Sequence, residues 1–502
     1  MKLSHLIANV DGVSVLSGSD PTVLSVTDDS RKVGASSLFV ARSGSATRGN
    51  EFIADAIARG AVAVCVDAAT TLRDWERPGV AVVRAHDATK AAASLAHAFH
   101  GFPARAIRMV GITGTNGKTT TAFLVQHLIR QSGVRCGLLG TVFTDDGISR
   151  ISAELTTPSA TDLALALGSM VRNECTSAAM EVSSHALAQG RVEGIDFAVG
   201  IFTNLTGDHL DYHGTLAAYG DAKSLLFRSL RVGSCAVVNG DDPAHEQMLR
   251  DCVAKVLRCS LRNKDAACFA EVIKASLGST RLNLRGPWGE MQVDVPCVGR
   301  HNAMNVLQAV AAAWTIGVDA SSLEGALATA PAPPGRLEPV TDPKSAFAVL
   351  VDYAHTDDAL LNVLTALRPV VGAGRIILVF GCGGDRDRSK RPRMAAIACA
   401  HADHVIVTSD NPRTEAPEQI IDEILAGIPA DCAVPVERER DRASAIRRAI
   451  GAALPGDLVL IAGKGHEDYQ IIGREKFPFD DRREARAALA HHSIQETQGV
   501  AS

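Results

Sequence analysis

Short apolar runs alternate with amphipathic stretches along most of this chain. The runs are rich in Val, Ile, Leu and Ala, and many are followed by a stretch whose apolar positions recur every three or four residues. The first pattern predicts buried strands, and the second predicts helices that pack on one face. Because strands and helices alternate, the chain is predicted to form an α/β fold of parallel sheets covered by helices.

Two breaks in this pattern divide the chain into three predicted domains. The first is Gly101–Pro103, and the second is the proline cluster Pro331–Gly335, which disfavours both helix and strand. The predicted domains are therefore 1–102, 103–335 and 336–502. In the first domain the predicted elements are strands Val23–Val26, Ser37–Val40, Val62–Val66 and Val80–Val83, with helices Phe52–Arg59 and Lys90–Phe99. The third domain is predicted to be Rossmann-like, with strands Ala348–Val351, Ile376–Phe380, His404–Thr408 and Leu458–Ile461, and helices Asp357–Leu367, Arg393–His401, Pro417–Ala426 and Arg440–Ala453.

Composition and charge argue against some classes of function. Of the 502 residues, 46% are hydrophobic and 21% are charged, which is ordinary for a globular protein. The formal net charge is −5 and aromatic residues make up 4% of the chain. Nucleic-acid binding needs basic patches and stacking surfaces, so no nucleic-acid partner is expected.

Cysteine usage and the N-terminal segment favour the reducing cytoplasm. The eleven cysteines are scattered, and none forms a C-x-x-C pair. This pattern argues against both a disulfide framework and a zinc site. Residues Met1–Val10 lack the apolar core of a signal peptide. No apolar run approaches the ~20 residues of a membrane span, so no membrane insertion is expected.

A glycine-rich segment, Gly111–Thr120, follows a predicted strand, Ile107–Val110, and leads into a predicted helix. This order lets backbone N–H groups and a helix N-terminus surround a polyphosphate. The spacing departs from the usual P-loop because Ile112 stands where a glycine is expected. Lys118 is expected at the β- and γ-phosphates, and the Thr119 hydroxyl on Mg²⁺. The segment predicts a central P-loop ATPase domain built on a parallel sheet.

Three polar features of the central region each allow more than one interpretation. Glu181 ends an apolar run, where it could serve as a Mg²⁺ partner or as the N-cap of the next helix. The segment Asn204–Gly214 concentrates Asp, His and Asn side chains. It suits Mg²⁺ with His209 near the phosphates, a zinc site of non-standard spacing, or a hydrogen-bonded turn. Lys223 lies in a helical pattern, where composition alone predicts a solvent-exposed charge.

Polar clusters follow three predicted strands of the third domain. They are Phe380–Arg386, Asp410–Arg413 and Gly463–Glu467. In open α/β sheets, ligands bind at the carboxyl ends of the strands, so these clusters predict one pocket. The first cluster begins like a dinucleotide-binding motif, but Arg386 stands where the last glycine should be, which argues against NAD. Arginines at this edge can hold a carboxylate with two parallel hydrogen bonds.

Together these motifs resemble those of the Mur ligases, ATP-dependent amino-acid ligases that build the peptide of peptidoglycan precursors. The resemblance runs through the chain in order, in the segments Gly111–Thr119, Met180–His185, Asn204–Gly214, Gly299–Asn305, Gly335–Glu338 and Asp352–Thr356. It implies that the catalytic residues are Lys118, Glu181, His209 and Lys223. It implies ATP binding by Gly114, Thr115, Asn116, Gly117, Lys118, Thr119, Thr120, Asn302, Asn305, Arg336 and Asp352. It also implies two Mg²⁺ ions, with Thr119, Glu181 and Lys223 as ligands, the lysine as a carbamate derived from CO₂.

Within this family the chain resembles the members that add diaminopimelate. The segment Asp29–Arg31 is similar to their uridine-nucleotide-binding segment, and Asp410–Arg413 is similar to their signature. The resemblance implies that UDP-MurNAc-L-Ala-D-Glu binds at Ser30, Ser45, Thr47, Thr156, Thr157, Ser183, Gln189 and Arg191. It implies that meso-diaminopimelate binds at Arg386, Asp410, Asn411, Pro412, Arg413, Gly463 and Glu467. Diaminopimelate has a distal carboxylate that lysine lacks, and leaving an arginine without a buried partner costs roughly 3–5 kcal/mol.

The implied reaction joins the D-glutamate γ-carboxylate to the diaminopimelate amine through an acyl phosphate, with release of ADP and phosphate. A monomer whose three domains close on the substrates is expected. The alternatives are a lysine-adding relative, folylpolyglutamate synthase, which shares the phosphate loop, and a non-catalytic nucleotide-binding scaffold. A GTPase or kinase switch is disfavoured because the chain lacks a guanine-specificity motif such as N-K-x-D.

Overall fold

The described residues form three large β-sheets, one in each predicted domain, and a separate two-stranded sheet in the third. The computed structural model describes residues 1–42, 49–70, 79–341 and 345–499, with side chains as far as His492. None of the helices in these ranges combines the length and the apolar character needed to cross a bilayer.

The first sheet has five strands in the order β1-β5-β4-β3-β2. Its elements are α1 Leu3–Ile7, β1 Val13–Ser17, β2 Ser25–Thr27, β3 Ser37–Val40, α2 Ile53–Ala58, β4 Ala61–Asp67, β5 Ala81–Ala85 and α3 Ala88–Phe99. All neighbouring strands are parallel except β1, which runs antiparallel to β5. The four predicted strands and both predicted helices are confirmed. Strand β1 was not predicted because nearly all of its residues are exposed and give no apolar alternation.

The second sheet has eleven strands in the order β16-β15-β14-β13-β12-β11-β6-β10-β7-β8-β9. Its strands are β6 Arg108–Thr113, β7 Cys136–Leu139, β8 Phe143–Asp145, β9 Arg150–Ser152, β10 Ser177–Glu181, β11 Phe197–Phe202, β12 Cys235–Asn239, β13 Lys255–Ser260, β14 Cys268–Ala275, β15 Thr280–Gly286 and β16 Gly289–Val295. Its helices are α4 Lys118–Gln131, α5 Ala160–Arg172, α6 Ser184–Ala188, α7 Leu210–His213, α8 Leu216–Arg228, α9 His245–Leu249, α10 Arg300–Thr315 and α11 Ala320–Ala328.

Parallel pairing in this sheet places three strand ends together. From β14 across to β7 all neighbours are parallel, and antiparallel pairs occur at both edges. Strand β6 lies between β10 and β11. The phosphate loop after β6 therefore lies beside Glu181, which ends β10, and beside the segment that follows β11. This is the edge at which open parallel sheets bind ligands.

The third sheet has six strands in the order β17-β18-β22-β19-β20-β21, and β17 is antiparallel to β18. Its strands are β17 Glu338–Pro339, β18 Ala348–Asp352, β19 Ile376–Phe380, β20 His404–Val407, β21 Val436–Arg438 and β22 Leu458–Ala462, followed by a separate hairpin of β23 Tyr469–Ile472 and β24 Glu475–Pro478. Its helices are α12 Asp357–Val371, α13 Lys390–His401, α14 Pro417–Leu425, α15 Arg442–Gly451 and α16 Asp481–Gly499. Apolar cores cover both faces of the sheet, as in other parallel sheets.

Side chains connect the three domains. The Thr161 hydroxyl of the central domain donates to Asp28 of the first domain at 2.7 Å. On the other side, Asp358 of α12 accepts hydrogen bonds from Asn116 at 2.7 Å and from Thr206 at 3.0 Å. The predicted boundaries at 102 and 335 fall between α3 and β6 and between α11 and β17, and they stay a prediction.

Candidate functional site

Two glycines shape the loop between β6 and α4. Gly114 has a φ of 150°, and Gly117, the N-cap of α4, has a φ of 85°. A side chain on Gly114 would overlap the Thr203 hydroxyl, and one on Gly117 would collide with Asn305. Glycine satisfies both the positive φ and the close packing. The loop can therefore pass tightly from the strand into the helix, as a phosphate-binding loop requires.

Two lysine side chains converge on this loop. Lys118 Nζ donates to the carbonyl oxygens of Gly114 and Thr115, at 2.9 and 2.8 Å. Lys223 Nζ donates to the same Gly114 oxygen at 2.8 Å and lies 4.2 Å from the centre of the Tyr219 ring. The Lys223 residue is 1% exposed, so the prediction of a solvent-exposed charge is wrong. Burial, together with the nearby Lys118 cation, holds the pKa of Lys223 well below its ordinary value.

The Glu181 carboxylate lies against the start of α4. Thr119 Oγ1 donates to Oε2 of Glu181 at 3.0 Å. From the end of β7, Thr141 donates its backbone N–H to Oε1 at 2.8 Å and its hydroxyl to Oε2 at 3.0 Å. Helix α6 is capped instead by Ser183, whose hydroxyl accepts the N–H of Ala186, so the capping interpretation of Glu181 is wrong. Hydroxyl and carboxylate oxygens beside a phosphate loop are a donor set that fits Mg²⁺.

A cavity of about 280 Å³ opens beside the loop, between the central and third domains. The predicted nucleotide-binding residues that line it are Asn116, Gly117, Thr120, Asn302, Asn305, Arg336 and Asp352. Asn305 donates to Oδ1 of Asn302 at 3.0 Å, which fixes both amides. The Asp352 carboxylate accepts backbone N–H groups of Leu337 and Ala354, at 2.7 and 2.8 Å, and burial raises its pKa. The wall thus offers ordered amides, a guanidinium and a carboxylate to a ligand.

The segment Asn204–Gly214 places histidines beside the two lysines. The ring of His209 lies 4.7 Å from the ring of His185, in an edge-on arrangement. Burial lowers the pKa of His209, and the nearby Lys118 cation lowers it further. A neutral imidazole at this position can accept a proton. Within the ranges that the structure describes, no three His, Cys, Asp or Glu side chains converge in a way that could hold a metal, so the zinc interpretation has no ligand set.

Five residues of the predicted muramoyl-dipeptide site lie around the carboxyl end of β10. They are Thr156, Thr157, Ser183, Gln189 and Arg191. The Thr157 hydroxyl accepts the N–H of Ser183 at 3.0 Å, and Arg191 Nη1 donates to the Thr157 carbonyl at 3.1 Å. The Thr156 hydroxyl oxygen lies 3.2 Å from the Thr141 hydroxyl oxygen. These side chains therefore lie at the same strand ends as the Glu181 carboxylate.

The first domain carries the other three residues predicted for that site. Ser30 lies in a short 3₁₀ helix, Ser30–Lys32, and Lys32 forms an ion pair with Asp162 of α5 at 2.8 Å. This contact places the segment beside the helix that follows Thr157. Ser45 and Thr47 lie outside the described residues.

A larger cavity, of about 1130 Å³, joins the phosphate-loop side to the third sheet. The predicted residues that line it are His209, Arg386, Asp410, Asn411, Arg413, Gly463 and Glu467. Pro412 is not among the lining residues, and its carbonyl oxygen packs so closely on Gly384 that a side chain there would overlap it. The three polar clusters that follow β19, β20 and β22 therefore meet at one cavity, as the sequence predicted.

The two arginines of this cavity are held differently. Arg413 has a φ of 52°, and its backbone bonds to Ile471 and Gly473 of the hairpin β23–β24 at 3.1 and 2.8 Å. Its guanidinium donates to the Gly384 carbonyl at 2.8 Å. Arg386 donates to the carbonyl of its neighbour Asp385 at 3.1 Å. Among the described residues neither guanidinium has a carboxylate within ion-pair distance, so both can pair with a carboxylate of a ligand.

Three residues of this region were missed by the sequence analysis. Thr141 follows the apolar run of β7 and lies at the carboxyl end of a strand that pairs with β10, which is a usable signal. Asp358 adjoins the Asp352–Thr356 motif, but its partners Asn116 and Thr206 are distant in sequence. Lys464 stands inside a predicted cluster, yet its complete burial is visible only in the fold.

Comparisons with known proteins agree with this architecture. Three family models match in order: the Mur ligase family catalytic domain at residues 22–100, the Mur ligase middle domain at 112–313, and the Mur ligase glutamate ligase domain at 335–465. A UDP-N-acetylmuramoyl-L-alanyl-D-glutamate–2,6-diaminopimelate ligase of Trichormus variabilis is 44% identical over 97% of this chain and 99% of its own. The ligase of the same name from Geobacillus kaustophilus is 43% identical over the same shares.

Solved structures of ligases share the fold of this chain. A structure of a UDP-N-acetylmuramoyl-L-alanyl-D-glutamate–2,6-diaminopimelate ligase is 35% identical and superposes with a TM-score of 0.65, over 94% of this chain and 95% of the other. MurF ligase from Thermotoga maritima, in complex with ADP, shares the fold at 17% identity with a TM-score of 0.62, over 94% and 98% of the two chains. On the strength of its full-length relatives, the chain belongs to the Mur ligase family.

Proposed function

We propose that this chain is an ATP-dependent amide ligase that joins meso-diaminopimelate to the D-glutamate of UDP-MurNAc-L-Ala-D-Glu, with formation of ADP and phosphate. The names of its full-length relatives support this reaction. The observation that carries the proposal is the cavity of about 1130 Å³. One end holds His209 beside the phosphate loop, and the other holds Asp410, Glu467 and two arginines that have no carboxylate partner among the described residues. An amino acid with a second carboxylate and a second ammonium matches that end.

At the phosphate loop, Lys118 would release its two carbonyl acceptors and bind the β- and γ-phosphates of ATP. Thr119 and Glu181 would hold Mg²⁺, which supplies positive charge against the transferring phosphoryl group. Asn302, Asn305, Arg336 and Asp352 would hold the nucleoside, because they line the adjoining cavity. The loop residues Gly114–Thr120 would surround the phosphates.

Lys223 is proposed to carry a carbamate. Its nitrogen shares an acceptor with another lysine and the residue is 1% exposed, which favours the neutral amine. A neutral amine attacks the carbon of CO₂, so an N–C bond forms while one C–O π bond opens to an anionic oxygen, and the nitrogen passes a proton to water. The product is a carboxylate-like group, which adds an oxygen donor for a second Mg²⁺ beside His209.

The muramoyl dipeptide would bind between the first and central domains, at Ser30, Ser45, Thr47, Thr156, Thr157, Ser183, Gln189 and Arg191. Its D-glutamate γ-carboxylate oxygen attacks the γ-phosphorus of ATP, which forms an acyl phosphate and breaks the bond to ADP. The amine of diaminopimelate then attacks the acyl carbon, and phosphate leaves. We assign His209 as the acceptor of the amine proton because its imidazole is held neutral. Domain closure would keep water from the acyl phosphate.

The third domain would bind diaminopimelate. Arg386 and Arg413 would pair with the distal carboxylate, and Glu467 with the Gly463 carbonyl would accept hydrogen bonds from the distal ammonium. Asp410, Asn411 and Pro412 would complete the wall. A monomer is proposed because a single chain supplies all of these residues. The cysteines are free thiols, which fits the reducing cytoplasm.

The test is phosphate release from ATP and Mg²⁺, with mass spectrometry of the product. We expect a muramoyl tripeptide when UDP-MurNAc-L-Ala-D-Glu and diaminopimelate are both present, and no release when either is omitted. Lys118→Ala should abolish the reaction, whereas Lys274→Ala, an exposed control on β14, should not. ATP hydrolysis without substrates would contradict the proposal. Turnover of a folate and glutamate instead would support the folylpolyglutamate synthase alternative.

A further inference from the structure

A completely buried lysine lies behind the wall of the acceptor cavity. Lys464 follows β22, and its side chain is 0% exposed. Its Nζ donates to Oδ1 of Asn411 at 3.0 Å and to Oε2 of Glu467 at 3.1 Å. Both of these partners line the cavity, but Lys464 does not. A buried ammonium needs such partners, because an unpaired one is strongly destabilising.

The contacts of Lys464 fix the orientation of the Asn411 amide. The amide oxygen also accepts the N–H of Ile471 at 2.9 Å, so it has two donors. The amide nitrogen therefore faces Glu467 and donates to Oε2 at 2.8 Å. Rotating the amide would bring its NH₂ group against the Lys464 ammonium and a backbone N–H, and would lose all three hydrogen bonds.

The same contacts leave one oxygen of Glu467 available. Oε2 accepts from both Lys464 and Asn411. Within the described part of the chain, no hydrogen bond reaches Oε1. The Glu467 side chain is 16% exposed and lines the cavity, as does Asp410. A carboxylate oxygen without a donor, in a wall that holds a second carboxylate, suits a ligand ammonium.

We propose that Lys464 is a positioning residue for ammonium recognition. It holds Asn411 and Glu467 in one arrangement, so that Oε1 of Glu467 faces the distal ammonium of the acceptor amino acid. Lys464 itself touches no ligand, since Asn411 and Glu467 separate it from the cavity. This inference rests on the proposed function and adds a residue to the acceptor site.

The test compares two acceptors that differ only in that ammonium. Diaminopimelate carries it, and 2-aminopimelate keeps both carboxylates and the reacting amine but lacks it. Lys464→Met keeps the length of the side chain and removes its charge and donors. For diaminopimelate we expect a KM raised about 10- to 100-fold, the range for loss of a hydrogen bond to a charged group. For 2-aminopimelate the KM should change less than about 3-fold, and the KM for ATP should stay unchanged.

Two further variants separate positioning from a general structural role. Glu467→Gln should raise the KM for diaminopimelate, and adding Lys464→Met to it should raise the KM little more, because both changes affect one contact. Lys464→Gln retains an amide donor, so its KM for diaminopimelate should lie between those of the unmodified protein and Lys464→Met. It also provides the comparison if the methionine variant does not fold.

Each result of these KM measurements either supports or overturns the positioning role of Lys464. An equal loss for both acceptors, or additive effects of the Lys464 and Glu467 changes, would overturn the positioning role. An unchanged KM for diaminopimelate in both Lys464 variants would overturn it as well. If the unmodified protein does not turn over diaminopimelate, the proposed function fails, and this inference fails with it.

Discussion

Lys118 and Lys223 donate hydrogen bonds to one acceptor, the carbonyl oxygen of Gly114, at 2.9 and 2.8 Å. Two ammonium groups that share one oxygen in a buried site repel each other. Lys118 has a second acceptor, the Thr115 carbonyl, whereas Lys223 lies over the Tyr219 ring and is 1% exposed. Burial and the nearby Lys118 cation favour the neutral amine of Lys223, which is the form that the proposed carbamate requires.

Lys223 should form a carbamate that is detectable with ¹³CO₂. Its lowered pKa makes the amine neutral well below the ordinary lysine range, so labelling should occur near neutral pH and decline as the pH falls. Carbon NMR should show one protected carbamate signal, and Lys223→Met should lack it. The same variant should lose about 10²–10³-fold in kcat, the cost of removing one electrostatic group from an active site. A fully active Lys223→Met protein would contradict the assignment.

Glu181→Gln should separate Mg²⁺ binding from nucleotide binding. The amide retains the shape of the side chain but removes the anionic oxygen that faces Thr119. We expect the ATP affinity measured without Mg²⁺ to change less than about 3-fold. The increase in ATP affinity that Mg²⁺ causes should fall by about 10- to 100-fold. Isothermal titration with and without Mg²⁺ measures both. Equal losses under the two conditions would show that Glu181 supports the fold and not the metal.

The ion pair of Arg442 with Asp481 should be essential to the third domain. Both side chains are 0% exposed, and Arg442 Nη2 also donates to the carbonyl of Ala462, next to Gly463, at 2.9 Å. Asp481→Asn leaves a buried guanidinium without its charge partner, so we expect a loss of roughly 3–5 kcal/mol in the free energy of unfolding. The exposed pair of Arg281 with Asp294 provides a control, because Asp294→Asn should cost less than about 1 kcal/mol. Urea denaturation compares the two variants.

His97 should make the protein less stable in acid. Burial, with a smaller contribution from His100, lowers the pKa of His97 from 6.5 to about 4. The unfolded chain binds this proton as the pH falls through about 6.5, but the folded chain does not until about 4, so stability decreases across that window. Between pH 7 and pH 4, the free energy of unfolding should fall by up to about 3 kcal/mol less in His97→Leu than in the unmodified protein. The exposed His5→Gln is the control, and an equal pH dependence in both variants would contradict the assignment.

Local patterns in the sequence predicted most of the fold. Strand β19 has the predicted bounds, Ile376–Phe380, because its residues are buried on both faces and form a continuous apolar run. Lys223 is a residue for which composition alone gave the wrong expectation, namely an exposed side chain. Tyr219, Ala222, Leu226 and Phe227 are buried at helical spacing, and Lys223 lies within that stripe. The periodicity of α8 therefore places Lys223 on the buried face of the helix, which an expectation based on residue type alone overlooks.

Contacts between distant segments could not be predicted in the same way. Asp358 accepts hydrogen bonds from Asn116 and Thr206, which lie far away in the chain and in another domain. Lys464 contacts Asn411 and Tyr469, and this depends on how the hairpin β23–β24 pairs with the segment that follows β20. Sequence motifs identified the strand ends that carry chemistry. The three-dimensional fold determines which neighbouring side chains hold them in place.

The choice between diaminopimelate and lysine tests the central proposal most directly. Phosphate release would be measured with ATP, Mg²⁺ and UDP-MurNAc-L-Ala-D-Glu, with each amino acid supplied in parallel to the unmodified protein and to Arg413→Ala. Lysine would lose the charge-assisted hydrogen bonds to both arginines, about 1.5–3 kcal/mol each, which together correspond to a preference for diaminopimelate of at least about 100-fold in kcat/KM. Arg413→Ala should reduce that preference to less than about 10-fold. Equal or faster turnover of lysine by the unmodified protein would contradict the assignment of the two arginines and of the acceptor.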